Sequence, residues 1–224
     1  MNQLLSIYKK RHTPGEHPFE LQGVMGNIEA VLTTPTEFNE RYLVLVGHPH
    51  SLHGGTMNNK VVTTLTRAFT ALNIASIRYN FRGVGRSEGA YDAGIGESED
   101  MLYMVEQWRA LAPQVKIIFA GFSFGSYVAY RAALQSEPQL LISVAPPVGR
   151  FDFKENSLVN APWIMLQGEE DDVVPYPLVE DFVKKAISPI DFLSFSGTGH
   201  FFHGQLLQLK TRLMDAVCQH IETP

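Results

Sequence analysis

Short apolar runs alternate with helix-like segments along most of this chain, and this alternation restricts the fold more than any other feature of the sequence. The apolar runs have the length and composition of strands that are buried on both faces. They are YLVLVG (42–47), IASIRY (74–79), VKIIFAG (115–121), LLISVA (140–145), WIMLQG (163–168) and DFLSF (191–195). Helical spacing occurs at 57–72, 95–112, 124–136, 177–187 and 204–221. Such alternation predicts an α/β fold, with a mostly parallel sheet and helices on both of its faces.

Two segments near the N-terminus alternate in polarity instead. FELQG (19–23) and GNIEAVLTT (26–34) predict an antiparallel hairpin at one edge of the sheet. Residues 1–18 have no predicted place in the sheet and are interpreted as an N-terminal extension. A chain of 224 residues is long enough for one sizeable core. Residues 19–224 are therefore predicted to form a single domain.

The charge balance argues against a nucleic-acid partner, because 23 acidic residues outnumber 18 basic ones and no block of like charges occurs. The N-terminal segment lacks the apolar core of a signal peptide, and no stretch approaches the ~20 apolar residues that span a membrane. The single cysteine, Cys218, lies in an amphipathic pattern and is predicted to be a buried apolar side chain. We therefore expect a cytoplasmic protein, a monomer or a homodimer, without a membrane or nucleic-acid partner.

Chemistry is expected in the loops that follow the strands, because ligands of an open parallel sheet bind outside the carboxyl ends of its strands. One such loop, GFSFG at 121–125, lies between a predicted strand and a predicted helix. This G-x-S-x-G pattern is typical of a sharp turn that exposes a nucleophilic serine, and glycine tolerates the tight backbone and the crowding of that turn. Ser123 is therefore a candidate nucleophile. Its alternative role is that of a helix N-cap.

A serine nucleophile needs a general base and a carboxylate that orients the base. Two later loops supply these groups. QGEEDDVVP (167–175) follows one predicted strand, and GTGHFFHG (197–204) follows the next. The order along the chain is serine, acid, histidine, which excludes the chymotrypsin and subtilisin arrangements.

With these motifs the sequence resembles the α/β-hydrolases, in particular the small, lidless, esterase-like bacterial members related to dienelactone hydrolases. The resemblance runs from about Phe19 to the C-terminus, and it includes HPHSLHGGTMNNKVV, IRYNFRGVGRSEG and SVAPPVG. At the position of Ser123, dienelactone hydrolase itself resembles a cysteine hydrolase rather than a serine hydrolase. The dienelactone substrate is therefore not implied for this chain. The resemblance implies an α/β-hydrolase fold without a cap domain and a reaction that needs no cofactor.

The resemblance also implies which residues complete the catalytic group. It assigns Asp171 as the acid, with Asp172 as the alternative. It assigns His200 as the base that takes the proton of Ser123 and returns it to the leaving group. His203 is the alternative base.

An oxyanion hole needs two N–H donors aimed at the developing charge. The backbone amide of Phe124, directly after the nucleophile, is the first predicted donor. The second is implied in the loop after YLVLVG, at the backbone amide of His50 or of its neighbour Ser51. Pro49 is excluded because it has no N–H.

The site is predicted to be open to solvent. Only about seventeen residues separate LLISVA from WIMLQG, too few for a cap domain. Apolar and aromatic walls for a small acyl group are expected from Phe122, Phe124, Phe201 and Phe202, with His203 beside them. A short-chain carboxylic ester is therefore the predicted substrate. A thioester or a peptide uses the same acyl-enzyme chemistry and stays an alternative.

Two further motifs, and the fold itself, allow functions other than ester hydrolysis. HPHSLH (48–53) approaches the H-x-H-x-D-H signature of metallo-β-lactamase-like hydrolases, but Leu52 occupies the aspartate position, so no metal is predicted. RGVGRSEG (82–89) approaches a dinucleotide fingerprint, but its third glycine is displaced and it follows an internal strand. The last alternative is a non-catalytic α/β-hydrolase scaffold that binds a small ligand or a protein, because fold does not fix function.

Overall fold

The computed structural model describes residues 2–222. The strands that it contains are β1 (Gly15–Gln22), β2 (Asn27–Thr34), β3 (Tyr42–Gly47), β4 (Ala75–Tyr79), β5 (Lys116–Phe122), β6 (Leu140–Val144), β7 (Trp163–Gly168) and β8 (Ile190–Phe195). The α-helices in the same part of the chain are α1 (Asn2–Lys9), α2 (Lys60–Ala71), α3 (Ile95–Arg109), α4 (Phe124–Ala133), α5 (Tyr176–Lys185) and α6 (Leu206–Val217).

All the strands join one sheet in the order β1-β2-β4-β3-β5-β6-β7-β8. The β1–β2 and β2–β4 pairs are antiparallel, and every later pair is parallel. Strand β3 lies at the centre, where Leu45 is opposite Ile77 of β4 and Phe119 of β5. This topology confirms the predicted α/β-hydrolase fold, including the antiparallel hairpin at its edge.

Strand β3 shows why the central strands are apolar on both faces. Leu43 and Leu45 point into a core shared with α3, α4 and α5. Val44 and Val46 point into the opposite core, which α2 and α6 cover. Because side chains alternate across a strand, a strand covered on both faces is apolar at most of its positions.

Strand β1 begins earlier than predicted, at Gly15 rather than near residue 19. The first residues of β1, including Glu16 and Pro18, form no apolar run in the sequence, because β1 is an edge strand with one solvated side. Helix α1 packs against this edge. Its Ile7 is buried in the core, and Tyr8 meets Trp108 of α3 edge-to-face with ring centroids 5.7 Å apart.

The helices follow their predicted positions but end earlier. Helix α6 ends at Val217, and the prediction that Cys218 is buried is wrong, because this residue is the C-cap and lies off the apolar stripe. That stripe is formed by Leu209, Leu213 and Ala216 together with Val217. Among the helices within residues 2–222, none combines the length and hydropathy needed to cross a bilayer.

Candidate active site

Ser123 occupies the turn between β5 and α4 in a strained conformation, with φ 53° and ψ −121°. Such a positive φ is costly for a residue with a side chain. Two glycines make the turn possible. A Cβ on Gly121 would come within 2.1 Å of the Gly125 carbonyl oxygen, and a Cβ on Gly125 would come within 2.4 Å of the Gly47 backbone. The turn therefore forms as predicted, with β3, β5 and α4 in direct backbone contact.

His200 lies in the loop after β8, where its Nε2 is 3.1 Å from the Ser123 hydroxyl oxygen. The imidazole is buried between two aromatic rings. Phe122 lies 5.0 Å from its centroid, and Phe201 meets it edge-to-face at 5.1 Å. These contacts hold the ring in the plane that directs Nε2 at the serine.

Asp171 lies in the loop after β7, and its Oδ2 accepts a hydrogen bond from His200 Nδ1 at 2.8 Å. Its Oδ1 accepts the backbone N–H groups of Val173 at 2.9 Å and Val174 at 2.6 Å. The neighbouring Asp172 points into solvent. Since a carboxylate accepts from Nδ1, the Nδ1–H tautomer is favoured and the Nε2 lone pair faces the serine.

Gln167, the penultimate residue of β7, completes this network. Its Nε2 donates to Asp171 Oδ2 at 3.0 Å and to the Val174 carbonyl at 2.9 Å. The side chain is fully buried. Sequence reasoning missed Gln167, although a polar residue at the end of the apolar run WIMLQG was the available signal.

The predicted oxyanion donors lie beside this group. Phe124 is the first residue of α4, so its amide is one of those that a helix leaves without an intrahelical acceptor. His50 belongs to the loop after β3, whose closure needs Gly55, since a Cβ there would come within 2.0 Å of the Pro49 oxygen. Within residues 2–222 the buried hydroxyl of Ser51 has no hydrogen-bond partner. The choice between the His50 and Ser51 amides stays a prediction.

The three histidines of HPHSLH have different environments. His48 is buried, accepts the Phe81 N–H at Nε2 (3.0 Å) and donates from Nδ1 to the Pro49 oxygen (2.6 Å). Burial lowers the pKa of His48 to about 4. Its two ring nitrogens are therefore engaged, one within the loop and one with the segment after β4. His50 instead stacks on His53 at 4.5 Å and on Tyr91 at 5.1 Å.

RGVGRSEG forms a hydrogen-bonded turn after β4. Arg82 donates from Nε to Asp100 at 2.8 Å, and both side chains are buried. Ser87 donates to the Asn80 carbonyl at 2.7 Å. Arg86 lies at the surface and pairs with acidic side chains of the N-terminal hairpin. These contacts account for the residues of the motif without a nucleotide.

A cavity of about 470 Å³ opens directly over Ser123. Its walls come from the loops at the carboxyl edge of the sheet, and it is lined by Pro49, His50, His53, Gly54, Gly55, Asn59, Ser123, Phe124, Pro147, Arg150, Phe151, Val173, Val174, His200 and Phe201. Arg150, Phe151 and the two valines were not predicted. In the sequence, what indicated these residues was their location after β6 and β7, in loops at the carboxyl edge of the sheet.

Two predicted wall residues do not reach the cavity. Phe122 is buried under His200 at the end of β5, and Phe202 is buried against Phe195 with ring centroids 5.3 Å apart. Both belong to the core on the α2 and α6 side, which corrects their assignment as substrate-binding residues. Phe201 does line the cavity. His203 is exposed and borders a smaller neighbouring cavity of about 210 Å³.

Comparison with known proteins agrees with this architecture. The family described as serine aminopeptidase, S33, matches residues 49–151. A structure of an α/β serine hydrolase homologue from Coxiella burnetii is 42% identical and covers 90% of this chain and 97% of its own, with a TM-score of 0.87. A lidless α/β serine hydrolase from Xanthomonas campestris is 38% identical and covers 94% and 97%, with a TM-score of 0.88.

An uncharacterised protein of Rickettsia prowazekii is 32% identical over 191 residues, which are 80% of this chain and 79% of that protein. Taken with the sheet topology, these similarities establish that the chain belongs to the α/β serine hydrolase family. The predicted membership is therefore confirmed. The closer kinship with dienelactone hydrolases stays a prediction.

Proposed function

We propose that the chain is a serine hydrolase that cleaves small carboxylic esters through an acyl-enzyme on Ser123. The observation that carries this proposal is the continuous line of hydrogen bonds from Ser123 through His200 to Asp171. The nucleophile, the base and the orienting acid of acyl transfer would be these three residues, in that order.

Acylation would begin when the Ser123 oxygen attacks the ester carbonyl while His200 Nε2 takes the hydroxyl proton. Asp171 would stabilise the resulting imidazolium and keep it oriented. The negative charge on the carbonyl oxygen would be held by the backbone amides of Phe124 and His50. When the intermediate collapses, the C–O bond to the alcohol breaks and His200 returns the proton to the departing alkoxide.

Deacylation would repeat the same steps, with water in place of the serine hydroxyl as the nucleophile. His200 would take a proton from a water molecule, whose oxygen attacks the acyl carbonyl. Collapse of the second intermediate breaks the bond to Ser123, and the proton from His200 restores the serine hydroxyl. The products are a carboxylic acid and an alcohol, and no electron transfer or external cofactor enters the balance.

The strain at Ser123 favours catalysis over a purely binding role. A serine with φ 53° costs roughly 1–3 kcal/mol relative to an ordinary backbone conformation. A helix N-cap needs no such strain, and Ser123 makes no side-chain capping hydrogen bond. Strain together with an intact hydrogen-bonded acid and base favours an enzyme over a non-catalytic scaffold.

The cavity favours an ester over the N-terminus of a peptide. An aminopeptidase must bind a free α-ammonium group, for which a carboxylate is the natural partner. Among residues 2–222, those that line the cavity include no aspartate or glutamate. Its aromatic and aliphatic walls, Phe124, Phe151 and Val173, suit an apolar acyl or alcohol group instead.

A panel of p-nitrophenyl esters tests the proposal, with thioesters and peptide amides beside them. We expect kcat/KM to be highest for short acyl esters and to change little with chain length, because an open site buries few methylenes and each is worth ~0.8 kcal/mol only when fully buried. The connection from β6 to β7, residues 145–162, holds no helix that could act as a lid. Rates should therefore not jump at the micelle threshold.

Ser123→Ala is the control for this panel, and all ester turnover should disappear with it. Faster cleavage of aminoacyl amides than of every ester would favour the aminopeptidase reaction. A steep rise in kcat/KM with chain length would show that another segment covers the site.

A further inference from the structure

The wall of the cavity over Ser123 differs in charge from the protein as a whole, which is acidic. The whole chain carries 23 acidic and 18 basic residues. The lining of the cavity, considered within residues 2–222, instead contains Arg150 and three histidines and no acidic side chain. Asp171 lies behind His200, where its oxygens already accept hydrogen bonds. An anion entering the cavity therefore meets no opposing carboxylate at the wall.

Arg150 is exposed to solvent at the wall of the cavity, and its backbone is held by the loop. Its amide donates to the Pro147 carbonyl at 3.0 Å, and the next amide, that of Phe151, donates to the same oxygen at 3.1 Å. The Phe151 ring is held against Phe124 at 5.2 Å and Tyr127 at 4.9 Å. In the part of the chain that the structure describes, no carboxylate lies within ion-pair distance of the Arg150 guanidinium.

The groups near Arg150 add no further permanent charge. Burial, with smaller contributions from the neighbouring His53 and Arg150, lowers the pKa of His50, which favours its neutral ring at pH 7. Its Nδ1 accepts the Leu52 amide, and its Nε2 pairs with the Tyr91 hydroxyl. The Asn59 side-chain oxygen accepts the Val61 amide at 2.8 Å, which leaves its NH₂ group free to donate. One permanent cation with one neutral amide donor in the same cavity matches a monoanion better than a phosphate dianion.

We propose that the ester cleaved at Ser123 carries a carboxylate, and that Arg150 binds this carboxylate in the same cavity. A guanidinium can hold a carboxylate through two parallel N–H···O bonds, which would also fix how the ester carbonyl faces Ser123. That the ligand is an ester rests on the proposed function. The carboxylate subsite rests on the cavity and on Arg150 alone.

Binding to the inactive Ser123→Ala protein tests the subsite without turnover. The probes are monomethyl glutarate, which has a free carboxylate, and methyl pentanoate, in which a methyl group replaces it. We expect monomethyl glutarate to bind about fivefold more tightly, as measured by calorimetry or NMR titration. Adding Arg150→Gln should abolish that difference, and Arg150→Lys should restore part of it. The exposed Arg67, replaced by Gln, is the matched control and should leave the difference intact.

Equal binding of the two esters to Ser123→Ala, or a preference that survives Arg150→Gln, would overturn the proposal. Turnover by the Ser123 enzyme separates this result from the proposed function. If both esters are hydrolysed with equal kcat/KM, ester hydrolysis stands and the carboxylate subsite is wrong. If monomethyl glutarate binds through Arg150 but neither ester is cleaved, the subsite stands and ester hydrolysis is wrong.

Discussion

Replacing His200 with alanine is expected to lower kcat for a short ester by about 10⁶-fold, the size of loss that follows removal of the base from a serine–histidine pair. Without the imidazole, nothing at 3.1 Å from the Ser123 oxygen can take its proton. The folded state should survive, because α6 and β8 keep their own buried contacts. Steady-state kinetics and a thermal denaturation curve measure the two effects separately.

The matched control for this change is His17→Ala. His17 is also a histidine, but it lies half-buried on the edge strand β1, where its ring bonds to the Thr13 carbonyl. Its removal should leave kcat unchanged within about twofold, as is usual for surface substitutions. A folded His200→Ala protein that retains a tenth of the original kcat would rule out this residue as the base.

Asp171→Asn is expected to lower kcat by about 10⁴-fold while KM changes little. The Val173 and Val174 amides can only donate, whereas the His200 ring can change tautomer, so the asparagine oxygen will stay at the Oδ1 position and its NH₂ group will face His200 Nδ1 and Gln167. The asparagine NH₂ group and an Nδ1–H group are both donors and cannot bond to each other, so the His200 ring must adopt the Nε2–H tautomer. That tautomer has no lone pair for the Ser123 proton.

Asp172→Asn is the natural control, because Asp172 is adjacent in sequence but exposed. We expect its kcat to stay within about twofold of the original value. Steady-state kinetics of both variants, with folding checked by circular dichroism, measure the difference. The reverse ranking in folded proteins would assign the acid to Asp172.

The fold was predictable because its signals are strong and local. β3 and β7 were predicted with the bounds that the structure shows, since a strand buried on both faces is apolar at nearly every position and a glycine is the last residue of each of these two. The start of β1 was not predictable in this way. An edge strand needs no continuous apolar face, so Glu16 and His17 resemble a loop in sequence although they pair with β2.

The site was predictable in its order along the chain but not in its side-chain directions. The turn at Ser123 and the loops that carry Asp171 and His200 follow from G-x-S-x-G and from the parallel sheet, which brings the ends of its strands together. Phe122 and Phe124 flank the same serine, yet one lies in the core under His200 and the other lines the cavity. The direction of Phe122 follows from β5, which extends one residue beyond the predicted strand and places Phe122 on the face of Ala120. The direction of Phe124 is set by the turn, which spacing does not describe.

Gln167 and Arg150 show a second limit. Each belongs to a segment whose position at the carboxyl edge was predicted, but the role of each depends on contacts between segments distant in sequence. Gln167 has a role because the loop after β7 brings Asp171 within hydrogen-bond distance of its side chain. Arg150 has one because Phe151, the next residue, packs against Tyr127 of α4 and so positions the loop. Such contacts are fixed by tertiary packing, which a single sequence does not display.

Covalent labelling tests the central proposal most directly, because it needs no knowledge of the substrate. The purified protein is treated with a fluorophosphonate, and the intact mass and the modified peptide are then determined by mass spectrometry. We expect one adduct per chain, located on Ser123, with no adduct on Ser123→Ala and much slower labelling of His200→Ala. A wild-type protein that stays unmodified while a control serine hydrolase is fully labelled, or an adduct on another residue, would contradict the assignment of Ser123 as an activated nucleophile.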